Sequence, residues 1–501
     1  MSTSLGHYLP RFIAPWTETA TGVEIETFHG IITFEGMCPT TMSKIEIACD
    51  GSTTLAQLTR QLSNDADPEQ VTQLLELLIE RGVLVNARSV NKVTDKHKPN
   101  KIRILAPSGN ILEKLHLPYS ILYGRVGERT WSSAHSNTNA CAREKLISEI
   151  AEWEAWSPTI ERTTHVARAT SIPRFVDPRH IISYAKSQYA NNMFDLTPFD
   201  PDQEYEWILG HNYRNEDEVF FLADTVLYPY ASRYPRYCFS TSSGCAAHVE
   251  RSLAIEHAIY ELIERDAFMI FWLNKLDRPT ILFESLPSTL RERVAAIRQL
   301  GFTVVLTDIT MDLAPVVLVT VADTSGTYMT SGLGSGRHFL DAIRGALAEV
   351  EIALLHILNK ESIFVEQIEP HDVQSLAQHE QLHQCGSYRS ESHFLFDTSK
   401  PHILYDKLHS QTNTKSEIIE TLLRKGFQIY LVDASSWKLD VLLPAHRYIV
   451  RVFVPGLVPL SFGYGHEPLG MDRLCSVPFN LGYRKKVAHP EELNRFPHPF
   501  N

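Results

Sequence analysis

The sequence predicts an α+β protein: a large domain of repeated helix–strand units, preceded by a small N-terminal domain of different pattern. Three observations support this. The run at 86–101 (NARSVNKVTDKHKPNK) has almost no apolar residues and reads as a linker. Before it, short strands and two amphipathic helices crowd into about 65 residues. After it, helical and strand patterns alternate without another break, as in a single large α/β or α+β domain.

The N-terminal elements follow from local chemistry. Residues 23–28 and 31–34 place β-branched and aromatic side chains around His29-Gly30, a hairpin signal. Residues 44–48 (KIEIA) read as a further strand closed by Asp50-Gly51. Leu55, Leu58 and Leu62 recur at helical spacing. A second helix opens with Asp67 as N-cap, Pro68 at its first position and Gln70 set to close a capping box. Its stripe is Val71, Leu74, Leu75 and Leu78, Gly82 ends it, and residues 83–85 return as a strand. That order is winged-helix-like. It gives a domain at 1–86, a linker at 87–101 and a large domain at 102–501.

Two segments of the large domain look alike. Residues 290–310 (LRERVAAIRQLGFTVVLTDIT) and 418–435 (IIETLLRKGFQIYLVDAS) each run helix, glycine, strand, acidic turn. Gly301-Phe302 matches Gly426-Phe427, and Asp308 matches Asp433. An internal repeat is the reading; chance similarity of two amphipathic units is the alternative.

Composition bounds the class. The 501 residues carry 47 Lys+Arg against 59 Asp+Glu, a net charge of −12, which argues against a broad nucleic-acid footprint. The longest apolar stretch, 314–322 (APVVLVTVA), is too short to span a bilayer, and the first residues lack the pattern of a secretory signal. Seven scattered cysteines without a CxxC pair fit a reduced, cytoplasmic protein without a zinc tetrathiolate. P-loop, GxSxG and HExxH signatures are absent. The glycines of 332–337 (GLGSGR), between a strand and a helix, read as a tight turn or as backbone donors for an anion.

The chemistry lies on two apolar helices. In 242–276 (SSGCAAHVERSLAIEHAIYELIERDAFMIFWLNKL), Glu261 and Glu264 at i, i+3 leave one face just before an apolar run. In 140–156 (ACAREKLISEIAEWEAW), Glu149 and Glu152 repeat the spacing. A solvated face, with Lys145 pairing Glu149, explains either pair alone. Two such helices facing each other would offer four carboxylates to Mg²⁺, which binds through a few carboxylates plus substrate phosphates. His248, His257 and His338, among 22 histidines, read as structural or solvent-facing, and Cys245 has no base partner at nucleophile spacing.

These segments resemble the YcaO family. SSGCAAH…AIYELIERDA is similar to S-N-G-x-A-A-G-N-T…L-x-E-x-x-E-R-D-A, and 142–152 (AREKLISEIAE) to A-R-x-K-A-x-x-E-A-x-E. Residues 342–349 (AIRGALAE) resemble A-x-x-R-A-L-T-E, 451–457 (RVFVPGL) resembles R-V-x-x-P-G-L, and 497–501 (PHPFN) resembles the P-H-P-F-P tail of the azoline-forming branch. The matches keep the family's order from Lys101 onward. The resemblance implies an ATP- and Mg²⁺-dependent cyclodehydratase: a Cys, Ser or Thr side chain of a ribosomal precursor peptide attacks the preceding amide, whose oxygen leaves as phosphate. It implies Glu149, Glu152, Glu261 and Glu264 as metal ligands, and Lys145, Ser243, Arg265 and Arg451 as nucleotide contacts. It also implies a tail reaching the active site through Pro497, Pro499 and Asn501.

The resemblance further implies an E1-like partner protein, an FMN-dependent dehydrogenase, a homo- or hetero-oligomer, and neither nucleic acid nor membrane as partner. The N-terminal pattern resembles PqqD-type leader-peptide modules, which capture peptide by strand addition. The sequence departs from the family pattern at Ser243, His248-Val249, Leu253, Trp153, Gly345 and Asn501. Alternative readings are a thioamide- or amidine-forming enzyme of the same family, or a non-catalytic peptide-binding subunit.

Overall fold

The structure is a computed structural model. It describes residues 10–12, 16–19, 22–27, 30–35, 41–42, 44–45, 55–62, 68–80, 84–86, 100–105, 120–126, 130–136, 139–157 and most of 164–500. Within 164–500, residues 192–195, 229, 231–233, 324–327, 359–366, 385–388, 398, 412–417, 438, 440 and 444–445 lie outside the description. Asp67, Gly82, the Asp50-Gly51 turn and Asn501 are also outside it. The chain divides into two compact units, 1–99 and 100–501.

In the first unit, β1 (Pro10–Phe12) pairs with β5 (Leu84–Asn86), and β2 (Trp16–Thr19), β3 (Gly22–Thr27) and β4 (Gly30–Glu35) form an antiparallel meander. The β3–β4 hairpin sets Ile25 opposite Ile32. Helices α1 (Leu55–Leu62) and α2 (Pro68–Glu80) bury Leu58, Val71, Leu75 and Leu78. The strand expected at 44–48 is corrected at its start: Lys44 and Ile45 are helical, with Met42 and Ile45 buried at i, i+3. A short apolar alternation fits either period, and packing decides.

Among the described residues, the second unit has three sheets. The first orders β19 (Val441–Leu442), β6 (Asn100–Leu105), β7 (Ser120–Val126) and β8 (Thr130–Ser136). Asn100 and Lys101, read from sequence as linker, therefore belong to a strand. The second sheet orders β11 (Glu218–Leu222), β10 (Glu204–Asn212), β18 (Tyr430–Asp433), β20 (Tyr448–Phe453) and β12 (Cys245–His248), with β9 (His165–Arg168) on β10. The third orders β16 (Met329–Ser335), β15 (Val316–Asp323), β14 (Phe302–Asp308), β13 (Thr280–Ile281) and β17 (His402–Ile403).

Each sheet feeds one long helix from a terminal strand. β8 leads into α3 (Asn139–Trp156), β12 into α4 (Arg251–Asn274), and β16 into α6 (Phe339–Leu358). The apolar second half of α4, residues 267–273, is buried on every side among side chains of β15, β16 and β20. It is the central helix of the unit. Asp266 anchors it, accepting from the Val458 N–H at 2.9 Å and from Arg473 at 2.7 and 2.9 Å.

The two similar segments adopt the same order. Helix α5 (Ser288–Gln299) passes through Gly301 at φ +90° into β14, and α8 (Ile418–Arg424) passes through Gly426 at φ +87° into β18. Both strands then pair antiparallel with the following long strand, β15 and β20 respectively. Left-handed glycine is what each reversal requires.

Candidate active site

Three strand-to-helix junctions bring the acidic residues together. On α3, Ala151, Ala155 and Trp156 pack against Cys245 and Ala247 of β12, which turns Glu149 and Glu152 toward α4. The Ala247 N–H donates to Glu152 Oε1 at 2.7 Å. On α4, Glu261 accepts from the Gly244 N–H at 2.9 Å and pairs with Arg265 at 2.5 Å. Arg265 Nη1 also donates to Ser243 Oγ at 2.9 Å.

Helix α6 adds a fifth carboxylate, Glu349, which accepts from the Leu333 N–H of β16 at 2.8 Å. It was absent from the predicted ligand set, although the matched segment AIRGALAE ends on it. Its placement depends on a close contact between strand and helix. A Cβ on Gly332 or Gly334 would collide with the α6 carbonyls of Ala346 and Ala342, and Gly345 lies against Gly334. Gly332 and Gly334 are therefore a packing device inside β16 rather than a turn, and Gly336 alone lies in the connection to α6.

Electrostatics bind the five into one cluster. Burial, then repulsion from Glu261 and Glu149, holds Glu152 well above the usual carboxylate range. Burial and Glu349 do the same to Glu264. Glu261 is raised by burial and restrained by Arg265. Burial lifts Glu349 to about 7, against the pull of the Leu333 N–H and Arg265. Its surface nonetheless stays open to solvent, so this carboxyl faces a protein-walled cleft. One arginine among mutually repelling carboxylates leaves a site short of positive charge.

The remaining predicted residues divide. Ser243 and Arg451 line one cavity with Asp224, Thr225 and Thr241. Arg451 is buried; its Nη1 and Nη2 donate to the carbonyls of Val226 and Thr241 at 2.6 and 2.5 Å, while Nε is left without a partner among the described residues. Lys145 is exposed on α3, close enough to His257 to help lower that imidazole's pKa after burial and His248. Trp153, where the resemblance expects arginine, is 45% exposed, its ring 5.6 Å from Tyr228. Burial pushes the Cys245 thiol up to about 12, unsuited to a nucleophile. Pro497 and Pro499 are buried farther along α4: the Phe500 ring lies tilted 5.6 Å from that of Phe268, one turn past Glu264, and Phe500 bridges Ser331 of β16.

Among the described residues, no three His, Cys, Asp or Glu side chains converge tightly enough to enclose an ion unaided. A donor set spread over three helices, with Glu152, Glu261 and Glu349 each fixed by a backbone N–H, suits Mg²⁺ ions completed by phosphate oxygens. Among the described residues, no helix is long and apolar enough to cross a membrane.

Comparison with known proteins identifies the family and agrees with the fold. The family model for YcaO cyclodehydratase, ATP- and Mg²⁺-binding, matches residues 133–458. An uncharacterized protein of Methanothermobacter thermautotrophicus is 30% identical over 163 residues, covering 30% of this chain and 41% of that protein. Among solved structures, a heterocyclase in complex with substrate and cofactor aligns over 80% of this chain and 55% of its own, at TM-score 0.63 and 18% identity. The heterocyclase TruD aligns over 99% of both chains at TM-score 0.53 and 14% identity. The Escherichia coli microcin synthetase McbBCD complex with pro-MccB17 bound covers 71% of this chain and 88% of that one, at TM-score 0.51 and 14% identity. At such identities these structures speak to fold; the family model spans more than half the chain. The chain therefore belongs to the YcaO family, and its cofactors are ATP and Mg²⁺.

Proposed function

We propose that the chain is a cyclodehydratase acting on backbone amides of a ribosomal precursor peptide, forming thiazoline or oxazoline rings from Cys, Ser or Thr. The observation that carries this is the cluster of Glu149, Glu152, Glu261, Glu264 and Glu349 on three helices around one arginine. When bound, ATP and Mg²⁺ supply the phosphoryl group that turns an amide oxygen into a leaving group. The protein's part is positioning and charge. The five glutamates hold the metal ions, and Arg265, fixed by Glu261 and Ser243, faces the phosphates with Lys145 at the rim. Arg451, lining one cavity with Ser243, is assigned as a further phosphate contact. Residues 497–500 lie beside Phe268 of α4 and Ser331 of β16, and Pro497, Pro499 and Asn501 are assigned to serve the reacting amide.

The unit at 1–86 is assigned as a winged-helix-like leader-binding domain. Among the described residues β4 pairs on one side only, an edge that strand addition can use. A microcin synthetase complex with its pro-peptide bound, among the structural neighbours, supports a peptide substrate and partner proteins; an E1-like protein and an FMN-dependent dehydrogenase are assigned as those partners. The test is incubation with Mg-ATP and a Cys/Ser-rich precursor peptide. One water lost per ring, with matching phosphate release, is expected. An unmodified peptide that still binds overturns the reading, and a sulfide-dependent mass gain reassigns the product to a thioamide.

A further inference from the structure

Residues 494–500 run through a buried slot, and two histidines of helix α7 (Leu376–Gln384) hold them there. His379 and His383 lie at i, i+4, on one face. The Gly463 N–H donates to His379 Nε2 at 2.9 Å, so Nδ1 carries the proton and donates to the His498 carbonyl at 2.9 Å. His383 Nε2 donates to the Pro497 carbonyl at 3.0 Å. His498 in turn donates from Nε2 to the Ser461 carbonyl at 2.8 Å, its ring 4.4 Å from that of His379. All three imidazoles are buried, which keeps them neutral and fixes these donor and acceptor roles.

The opposite wall is α4 itself. Trp272 Nε1 donates to the Phe496 carbonyl at 2.8 Å, and the Asn494 N–H to the Leu273 carbonyl at 2.7 Å. Phe268 meets both His498 and Phe500. The segment thus ends between Phe268, four residues after Glu264, and Ser331, two residues before the Leu333 amide that fixes Glu349. A proline-rich strand lacks the N–H groups to anchor itself, because Pro497 and Pro499 donate nothing. Its carbonyls must be gripped by side chains, and α7 supplies them.

We propose that His379 and His383 are positioning residues, a clamp that fixes residues 497–500 against the carboxylate cluster without touching nucleotide or metal. The kinetic consequence rests on the function proposed above, in which this segment serves the reacting amide. The test joins hydrogen exchange with turnover of Mg-ATP and the same precursor peptide. In the wild-type chain the amides of His498 and Phe500 should exchange as slowly as those of central α4; exchange at free-chain rates overturns the clamp without any variant. His379→Phe and His383→Phe keep ring volume but lose the hydrogen bonds. They should speed that exchange at least tenfold and lower kcat at least tenfold, with KM for ATP within twofold. His379→Gln, which can both accept from Gly463 and donate to His498, should recover most of the rate. Unchanged exchange or unchanged kcat in both Phe variants overturns the proposal. A chain lacking residues 497–501 separates the two claims. If it is inactive while the Phe variants keep full rate, the clamp alone fails; if it is fully active, the role given to the segment fails, and the clamp's kinetic role with it.

Discussion

Glu349 shows how one side chain can serve binding at a cost to folding. Its carboxyl is lifted to about 7 by enclosure and by Glu149 and Glu261, so its ionised form is opposed by its surroundings until a cation arrives. Glu349→Gln keeps an oxygen for the Leu333 N–H and removes the charge. Mg-ATP affinity, read by calorimetry, should fall on the order of tenfold or more, the loss typical of disturbed metal sites. The melting temperature of the nucleotide-free protein should stay level or rise. Lower stability together with unchanged affinity would show that this carboxylate is a structural acceptor only. The ExxE pairs of α3 and α4 were legible in sequence because spacing alone puts both carboxylates on one face. Glu349 has no carboxylate at i±3 or i±4 on α6, and the nearby Glu351 pairs with Arg293, so spacing does not mark it; beyond the AIRGALAE match, only the contact with β16 places it in the cluster.

At the scale of elements, the strand–helix junctions decide where carboxylates go. Gly332 and Gly334 let α6 approach β16 until backbone meets backbone, and Gly345 completes the contact one turn before Glu349. Sequence could not separate this use of glycine from a turn, since GLGSG suits both. It did reveal Gly301 and Gly426, where a helix must reverse into a strand, since the flanking residues change period there. The difference is measurable. Gly334→Ala sets a Cβ against the Ala342 carbonyl and should destabilise the protein by about 1–3 kcal/mol as overpacking. Because α6 must shift, Mg-ATP affinity should weaken although residue 334 touches no phosphate. Gly301→Ala has open space and only an unfavourable φ, costing about 1 kcal/mol or somewhat more, with affinity retained. Denaturant unfolding and calorimetry of the two variants would distinguish them; equal affinity losses would refute the packing argument.

Over the whole molecule, acid and base groups pull stability in opposite directions, and the site fixes where they cross. His383 and His498, buried neutral, titrate at about 4 against an ordinary 6.5, so the stability they contribute is lost as pH falls below about 6.5. Glu152, Glu264 and Glu349 are raised above 4.5, Glu349 to about 7, so the folded chain binds more protons than the unfolded one and loses stability as pH rises through that window. Above about 6.5 the histidines no longer contribute to the slope, and the carboxyls alone remain. The melting temperature of the nucleotide-free protein in chelator should therefore fall progressively as pH rises from about 6.5 toward about 8. Mg-ATP binds the ionised cluster, so it should raise the melting temperature most at the alkaline end and release protons on binding. Calorimetry in two buffers of different ionisation enthalpy counts those protons. A net charge of −12 would by itself give a mild alkaline decline that Mg-ATP does not reverse. Reversal by Mg-ATP, and a flatter profile in Glu349→Gln, would trace the decline to five glutamates on three helices; a decline unmoved by either would place it in the surface charge.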